Sequence, residues 1–314
     1  MLKVNLNAHQ FLRVSGPDAK KFLQGQVSCN LDLLNKNLSM RGALCNLKGR
    51  VISDFRLLQQ GDDCLLQAAE AMADIMKFTL AKYAVFSKAE LSVDDSPQQV
   101  FGLWGDGAEE FLSKHFDKLP QSSNEVTALA GAKLIRVSAS PRYELWIFDV
   151  AATLKLINGI EQLANAEIEN WNRLEILDGI YHVDTASTEE YTPQLLNYDI
   201  SGVVDFNKGC YTGQEIVARM HFRSQAKKRL VLSSSNQPIG ADSVIQQSYC
   251  GKTISATILR FSNDNATNSN ENLCLAILNV EATTESTELS ESPSLSLSDR
   301  RDSSLKILPL PYNN

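Results

Sequence analysis

The pattern of apolar residues changes character near residue 225, and that change sets the fold class. Before it, strand and helix signals come in mixed order. Residues 8–14 have strand composition, and Ser15, Gly16, Pro17 and Asp18 then supply a cap and an early proline ahead of Phe22 and Leu23. Residues 70–82 carry Ala71, Met72, Ile75, Met76 and Leu80 at roughly helical spacing, while 85–86 and 89–93 read as extended. A second cycle follows, with strands near 100–104, 133–137 and 143–148. Helices are expected over 151–164 and 167–177, the latter stopped near Gly179. Mixed order predicts an α+β fold rather than a doubly wound sheet.

Beyond residue 225 the segments 229–232, 243–246, 253–261, 273–280 and 305–308 are short strand candidates with no good helix among them. Five short strands predict a small β-barrel. Between the last two, residues 281–304 hold Ser or Thr at 11 of 24 positions. That composition buries too little apolar surface to offset its ordering entropy, so a mobile loop is expected, removable without loss of the fold.

Composition narrows the class. The chain has 314 residues, 43% hydrophobic and 21% charged, enough to bury a large core without disulfides or metals. No run approaches the eighteen or so apolar residues of a membrane span, and residues 1–7 lack the apolar stretch of a signal peptide. A cytoplasmic protein with no membrane partner is expected. The net charge of −7 is concentrated in residues 262–302, where eight acids face Arg300 and Arg301. The remainder, with 29 acids and 28 bases, is nearly neutral, so only local patches can indicate partners. The six cysteines form no C-x-x-C pair, and the four histidines show no ligand spacing, so no metal site is expected.

One segment carries chemistry: Lys208-Gly209-Cys210-Tyr211-Thr212-Gly213-Gln214-Glu215. Thr212 followed three residues later by Glu215, then Ile216-Val217-Ala218, is a capping-box pattern, which puts Cys210 just ahead of a helix N-terminus. The helix dipole and Lys208 would both favour a thiolate there, below the free-thiol range. A buried, inert thiol is the alternative, and Glu215 has capping alone as its own. Gly209 and Gly213 permit sharp turns or close approach of a ligand. Downstream, Arg219, His221, Arg223, Lys227, Lys228 and Arg229 form a basic strip with no acid between Glu215 and Asp242. It suits carboxylates or RNA phosphates, or is simply solvated; it lacks the aromatic interleaving of an RNA-stacking surface.

The motif Lys208–Arg219 resembles the signature of the YgfZ family of folate-binding, tRNA-modification-linked proteins, relatives of the glycine-cleavage T-protein. Further matches are Phe22-Leu23-Gln24-Gly25-Gln26-Val27, Lys82-Tyr83-Ala84-Val85-Phe86-Ser87-Lys88 and Pro309-Leu310-Pro311-Tyr312. The resemblance implies three lobes in a ring around a central folate cavity, with a C-terminal β-barrel. Residues 1–224 would be the T-protein-like folate-binding region of two intertwined lobes, and residues 225–314 the barrel. It implies a tetrahydrofolate-type cofactor, and support of iron–sulfur enzymes, including those that methylthiolate tRNA. Cys210 would be the functional thiol. Trp171 matches one of two family tryptophans associated with folate, and His9 falls at the position of the other. With Lys208, Tyr211, Gln214, Glu215 and Arg219 they make up the expected folate-binding set. A true aminomethyltransferase would need a general acid/base that no motif supplies, and a direct tRNA-binding module is a further alternative. One thiol cannot complete a four-cysteine cluster site, so an accessory protein without a resident cluster is the expectation.

Overall fold

The computed structural model describes residues 1–223, 226–249, 252–263, 271–280, 294–300 and 302–312. The chain divides into two compact units. The first comprises Met1–Ile168, His182–Glu190 and Gly202–Gln214; the second comprises Glu169–Tyr181, Tyr191–Ser201 and Glu215–Asn314.

The first unit holds strands β1 (Leu2–Asn5), β2 (Gln10–Ser15), β3 (Met40–Cys45), β4 (Val51–Gln60), β5 (Asp63–Ala68) and β6 (Glu90–Asp94). It continues with β7 (Gln99–Trp104), β8 (Val126–Leu129), β9 (Ala132–Arg136), β10 (Arg142–Ile147) and β11 (Ala164–Asn165). Its helices are α1 (Ala19–Gln24), α2 (Met72–Ala84), α3 (Ala108–Ser113) and α4 (Leu154–Glu161). One sheet runs β3-β4-β5-β2-β6 and the other β11-β1-β7-β10-β9-β8. Every pairing in them is antiparallel except the short β1–β11 ladder.

Helix α2 begins and ends two residues later than its periodicity suggests. Met72, Met76 and Leu80 recur every four residues and, with Ala73, pack against Leu12, Val14, Leu57 and Leu66. The opposite side leaves Lys77, Phe78 and Lys82 in solvent. Strand β4 is buried from Val51 to Leu58 on both faces, although Ser53, Asp54 and Arg56 are polar. Buried polar groups must find partners. Arg56 donates to Ser39 and Asn124, and Asp54 anchors the site described below. The two sheets meet where the Phe11 ring abuts Trp146 edge-on, at 5.1 Å between centroids.

The second unit takes in all but the first residue of helices α5 (Ile168–Leu177) and α6 (Gln214–Arg223). Its strands are β12 (Lys228–Ser235), β13 (Ile245–Tyr249), β14 (Lys252–Ala256), β15 (Ile258–Ser262), β16 (Asn272–Asn279), β17 (Ser294–Leu297) and β18 (Leu305–Leu308). The mixed α+β expectation holds. The expected closed barrel does not: among the described residues these strands form a four-stranded sheet, β15-β16-β12-β18, and a three-stranded one, β14-β13-β17.

The expected loop at 281–304 also needs correction. Residues 281–293 lie outside the described residues, but 294–297 form β17, which pairs with β13 through Leu297–Ile245 and Leu295–Gln247. Both leucines are buried, and the Leu297 N–H donates to the Ser303 hydroxyl. Serine content hid the signal. Ser-Leu-Ser-Leu alternates with period two, which lays both leucines on one face. Deleting 281–304 is therefore expected to lower the melting temperature sharply, against the composition-based expectation. Leu297→Ala alone should cost about 2–5 kcal/mol by denaturant unfolding. A change under about 0.5 kcal/mol would mean that β17 does not belong to the core.

Candidate functional site

The motif turn is built from long-range bonds within the first unit. The Lys208 side chain is buried, and its Nζ donates to the carbonyls of Gln24, Val27 and Cys29 at 2.8, 2.5 and 2.9 Å. Burial pushes the ammonium down to about 8, so near pH 7 all three of its protons are present and each meets an acceptor. The same Nζ lies 5.0 Å from the Tyr211 ring centroid. Ser28 ties neighbouring segments together: its hydroxyl donates to Val203 and accepts from the Ala43 N–H. The Asp205 N–H reaches the Ser28 carbonyl.

Gly213 has φ +82°, and a Cβ there would stand 2.4 Å from the Asn46 carbonyl oxygen. Only glycine lets the turn close onto the β3–β4 hairpin. The expected Thr212–Glu215 capping box is replaced by a different pair. Gln214 reaches back to accept from the Tyr211 N–H at 3.0 Å, and the Thr212 hydroxyl donates to Gln26 at 3.0 Å. Glu215 is exposed in the first turn of α6. The result is a fixed turn that leaves Cys210 exposed, with open space where a Gly209 Cβ would point. Lys208, expected to act on Cys210, is instead the post that holds the turn. Tyr211 is buried, its hydroxyl has no hydrogen-bond partner among the described residues, and burial pushes that hydroxyl up.

A second cluster lies on β4. Asp54 is buried; its Oδ1 accepts from the Val183 N–H at 2.7 Å and its Oδ2 lies 2.7 Å from His182 Nδ1. Burial alone would raise this carboxyl, but the charges of His182 and Arg41 and the Val183 N–H together hold it below the usual carboxylate range. Sequence reading missed this pair because its members are separated by 128 positions. The one local signal was an acid in an otherwise buried strand.

The remaining expected residues divide between the two units. His9, half-buried in the first unit, pairs through Nδ1 with Gln67, which also donates to Glu144; the Trp146 indole N–H meets the same carboxylate. Trp171, in the second unit, is 2% exposed, and its indole N–H donates to Glu175 at 3.2 Å. Arg260 bridges Glu175 and Asn172. Arg219 is exposed on α6. Arg229 drops out of the basic strip, because its guanidinium grips Asp199 with two 2.9 Å bonds.

The buried cysteines differ from Cys210 in kind. Burial pushes Cys29, Cys45 and Cys274 up to about 12 and Cys64 to about 11. Only a thiolate attacks an alkylating reagent. In the folded protein at pH 8, Cys210 is expected to react with iodoacetamide at least about tenfold faster than these four. Peptide mapping after brief labelling checks it. Equal labelling of Cys45 would show that the turn opens freely.

Fold and site together define a class. The architecture is that of the glycine cleavage system aminomethyltransferase T from Bartonella henselae, with a TM-score of 0.78 and 16% identity, covering 99% of this chain and 86% of that one. No protein-family model matches the chain. Curated relatives do. The tRNA-modifying protein YgfZ of Photorhabdus laumondii is 30% identical over 318 residues, covering 99% of this chain and 92% of its own length. That of Hamiltonella defensa is 34% identical over 230 residues, covering 72% and 67%. The chain belongs to the YgfZ family, as its motif implied. Among the described residues no helix is long and apolar enough to cross a membrane.

Proposed function

We propose that this protein is a cytoplasmic folate-binding accessory factor that supports iron–sulfur enzymes of tRNA modification, with Cys210 as its functional thiol. The observation that carries the reading is the Cys210 turn. Lys208 with three carbonyls, and Gly213 against Asn46, hold an exposed thiol in place. Rigid presentation of a reactive group is what an exchange or transfer step needs. The residues also suit a reduced folate. The unmet hydroxyl of Tyr211 is a donor that a pterin carbonyl would satisfy. A bound folate would supply one-carbon or redox chemistry. The curated relatives are named tRNA-modifying proteins, which supports placing the consuming reaction on tRNA.

Calorimetric titration with tetrahydrofolate tests the ligand. Saturable binding that survives Cys210→Ser is expected, together with loss of methylthiolated tRNA in cells carrying only that variant. Absence of folate binding by the wild-type protein would sink the reading. A second reading, folate-dependent group transfer, is favoured by the Asp54–His182 pair, since a carboxylate behind an imidazole is how general bases are oriented. It requires turnover that Asp54→Asn abolishes without loss of folate affinity.

A further inference from the structure

The first unit carries a groove of about 980 Å³ between the β3–β4 hairpin and α2, reaching the motif turn at Thr212. Its chemistry is unlike that of a core. Phe78 is 85% exposed on α2, and Leu47 at the hairpin tip is 74% exposed. Lys48, Arg50 and Lys82 line the same groove, and Lys82 Nζ lies 5.0 Å from the Tyr83 ring centroid. On α2 the residues Phe78 and Lys82 fall four apart on one face, and just past the helix end Val85 and Phe86 are 77% and 93% exposed. Lys77 and Lys88 extend the run, and no acid occurs between Asp74 and Glu90. Glu189 and Glu190 are the acids in the groove, and Arg50 donates to the Glu190 carbonyl.

We infer that this groove binds unpaired RNA, stacking a base on Phe78 and holding the flanking phosphates with Lys48 and Lys82. Exposed rings interleaved with cations are the arrangement that single-stranded nucleic acid requires, because every base has a face to stack and every link a charge to neutralise. The basic strip at 219–229 has cations, but its aromatic member is the single exposed Phe222. A purely apolar protein partner would leave the cations unmatched in the interface, and a duplex would keep its bases away from the rings. The assignment stands apart from folate binding, so the two can fail separately.

The test uses the intact protein and a fluorescein-labelled single-stranded oligoribonucleotide of about ten nucleotides, within the span one such surface covers. Binding is followed by anisotropy over a salt series, with a duplex of equal length in parallel. The single strand is expected to bind more tightly than the duplex. Phe78→Ala should weaken it by about 5- to 150-fold, the worth of one stacked base. Lys48→Glu/Lys82→Glu should lower the slope of log affinity against log salt by about 1.4, or about 0.7 for each lost phosphate contact. All three side chains are exposed, so melting temperature and tetrahydrofolate affinity should stay at wild-type values. Three results would overturn the inference. One is single-strand affinity unchanged in both variants. Another is loss of folate binding in parallel, which would make the groove a folate pocket. The third is absence of RNA binding by the wild type, which would leave Phe78 and Leu47 as a protein-docking face. If tetrahydrofolate fails to bind while the RNA results hold, only the folate reading falls.

Discussion

Replacing Lys208 by methionine is expected to destabilise the protein by about 3 kcal/mol or more and to loosen the turn that carries Cys210. Methionine keeps most of the apolar stem but has no donor, so the carbonyls of Gln24, Val27 and Cys29 lose their shared partner. A buried polar group left unpaired costs about 1–3 kcal/mol, and the three losses overlap because one local shift can admit water to more than one carbonyl. Lys208→Arg should recover little of the loss. A planar guanidinium spreads its protons over a fork, whereas the three carbonyls converge on one point. Urea unfolding measures the stability, and Cys45 labelling reports the turn, since Gly213 packs against Cys45 and Asn46. Wild-type stability in Lys208→Met would show that the carbonyls find other donors and that Lys208 is dispensable to the scaffold.

Asp54→Ala is expected to cost about 3 kcal/mol near pH 7, because a buried N–H loses its acceptor and the half-buried His182 loses a charge-assisted bond. It strands the Val183 N–H and removes the anion facing His182 and Arg41. The pH dependence follows from the direction of the shift. The folded-state carboxyl lies below its unfolded value, so its contribution is complete above the unfolded carboxylate pKa of about 3.9. That contribution disappears as the pH falls through the lower, folded value. Wild type and Asp54→Asn should therefore differ most near neutrality and converge in acid, as read from urea midpoints between about pH 3 and pH 7. A gap that stays constant down to pH 3 would mean the carboxylate charge contributes nothing.

Much of the secondary structure and the family were open to reading in the chain itself. Local periodicity reports which face of an element is buried, and it served for α2, where methionines and leucine recur every four residues. The start of α6 just after the motif was open to reading from the Thr212–Glu215 capping-box pattern, although other bonds form there. Averaged composition misled at 294–297, where serine frequency outweighed a two-residue alternation that tertiary pairing with β13 turned into core. Among the described residues no closed barrel forms, for a related reason: strand count does not say which edges meet.

The partners of the polar residues were decided only by the fold. Lys208 finds its carbonyls about 180 positions away, Asp54 finds His182 at 128, and Arg229 finds Asp199 at 30. In the sequence each was a charge of unknown assignment, and Lys208 read most naturally as a neighbour of Cys210. Burying a charge obliges it to find a partner, but the identity of that partner depends on which distant segments the fold brings together. The same holds for the groove beside Thr212. Its rings and cations come from two stretches some thirty residues apart that are neighbours only because α2 packs across the sheet containing the β3–β4 hairpin. Sequence determined which residues want burial; the tertiary structure decided what the buried charges face and what the exposed rings stand beside.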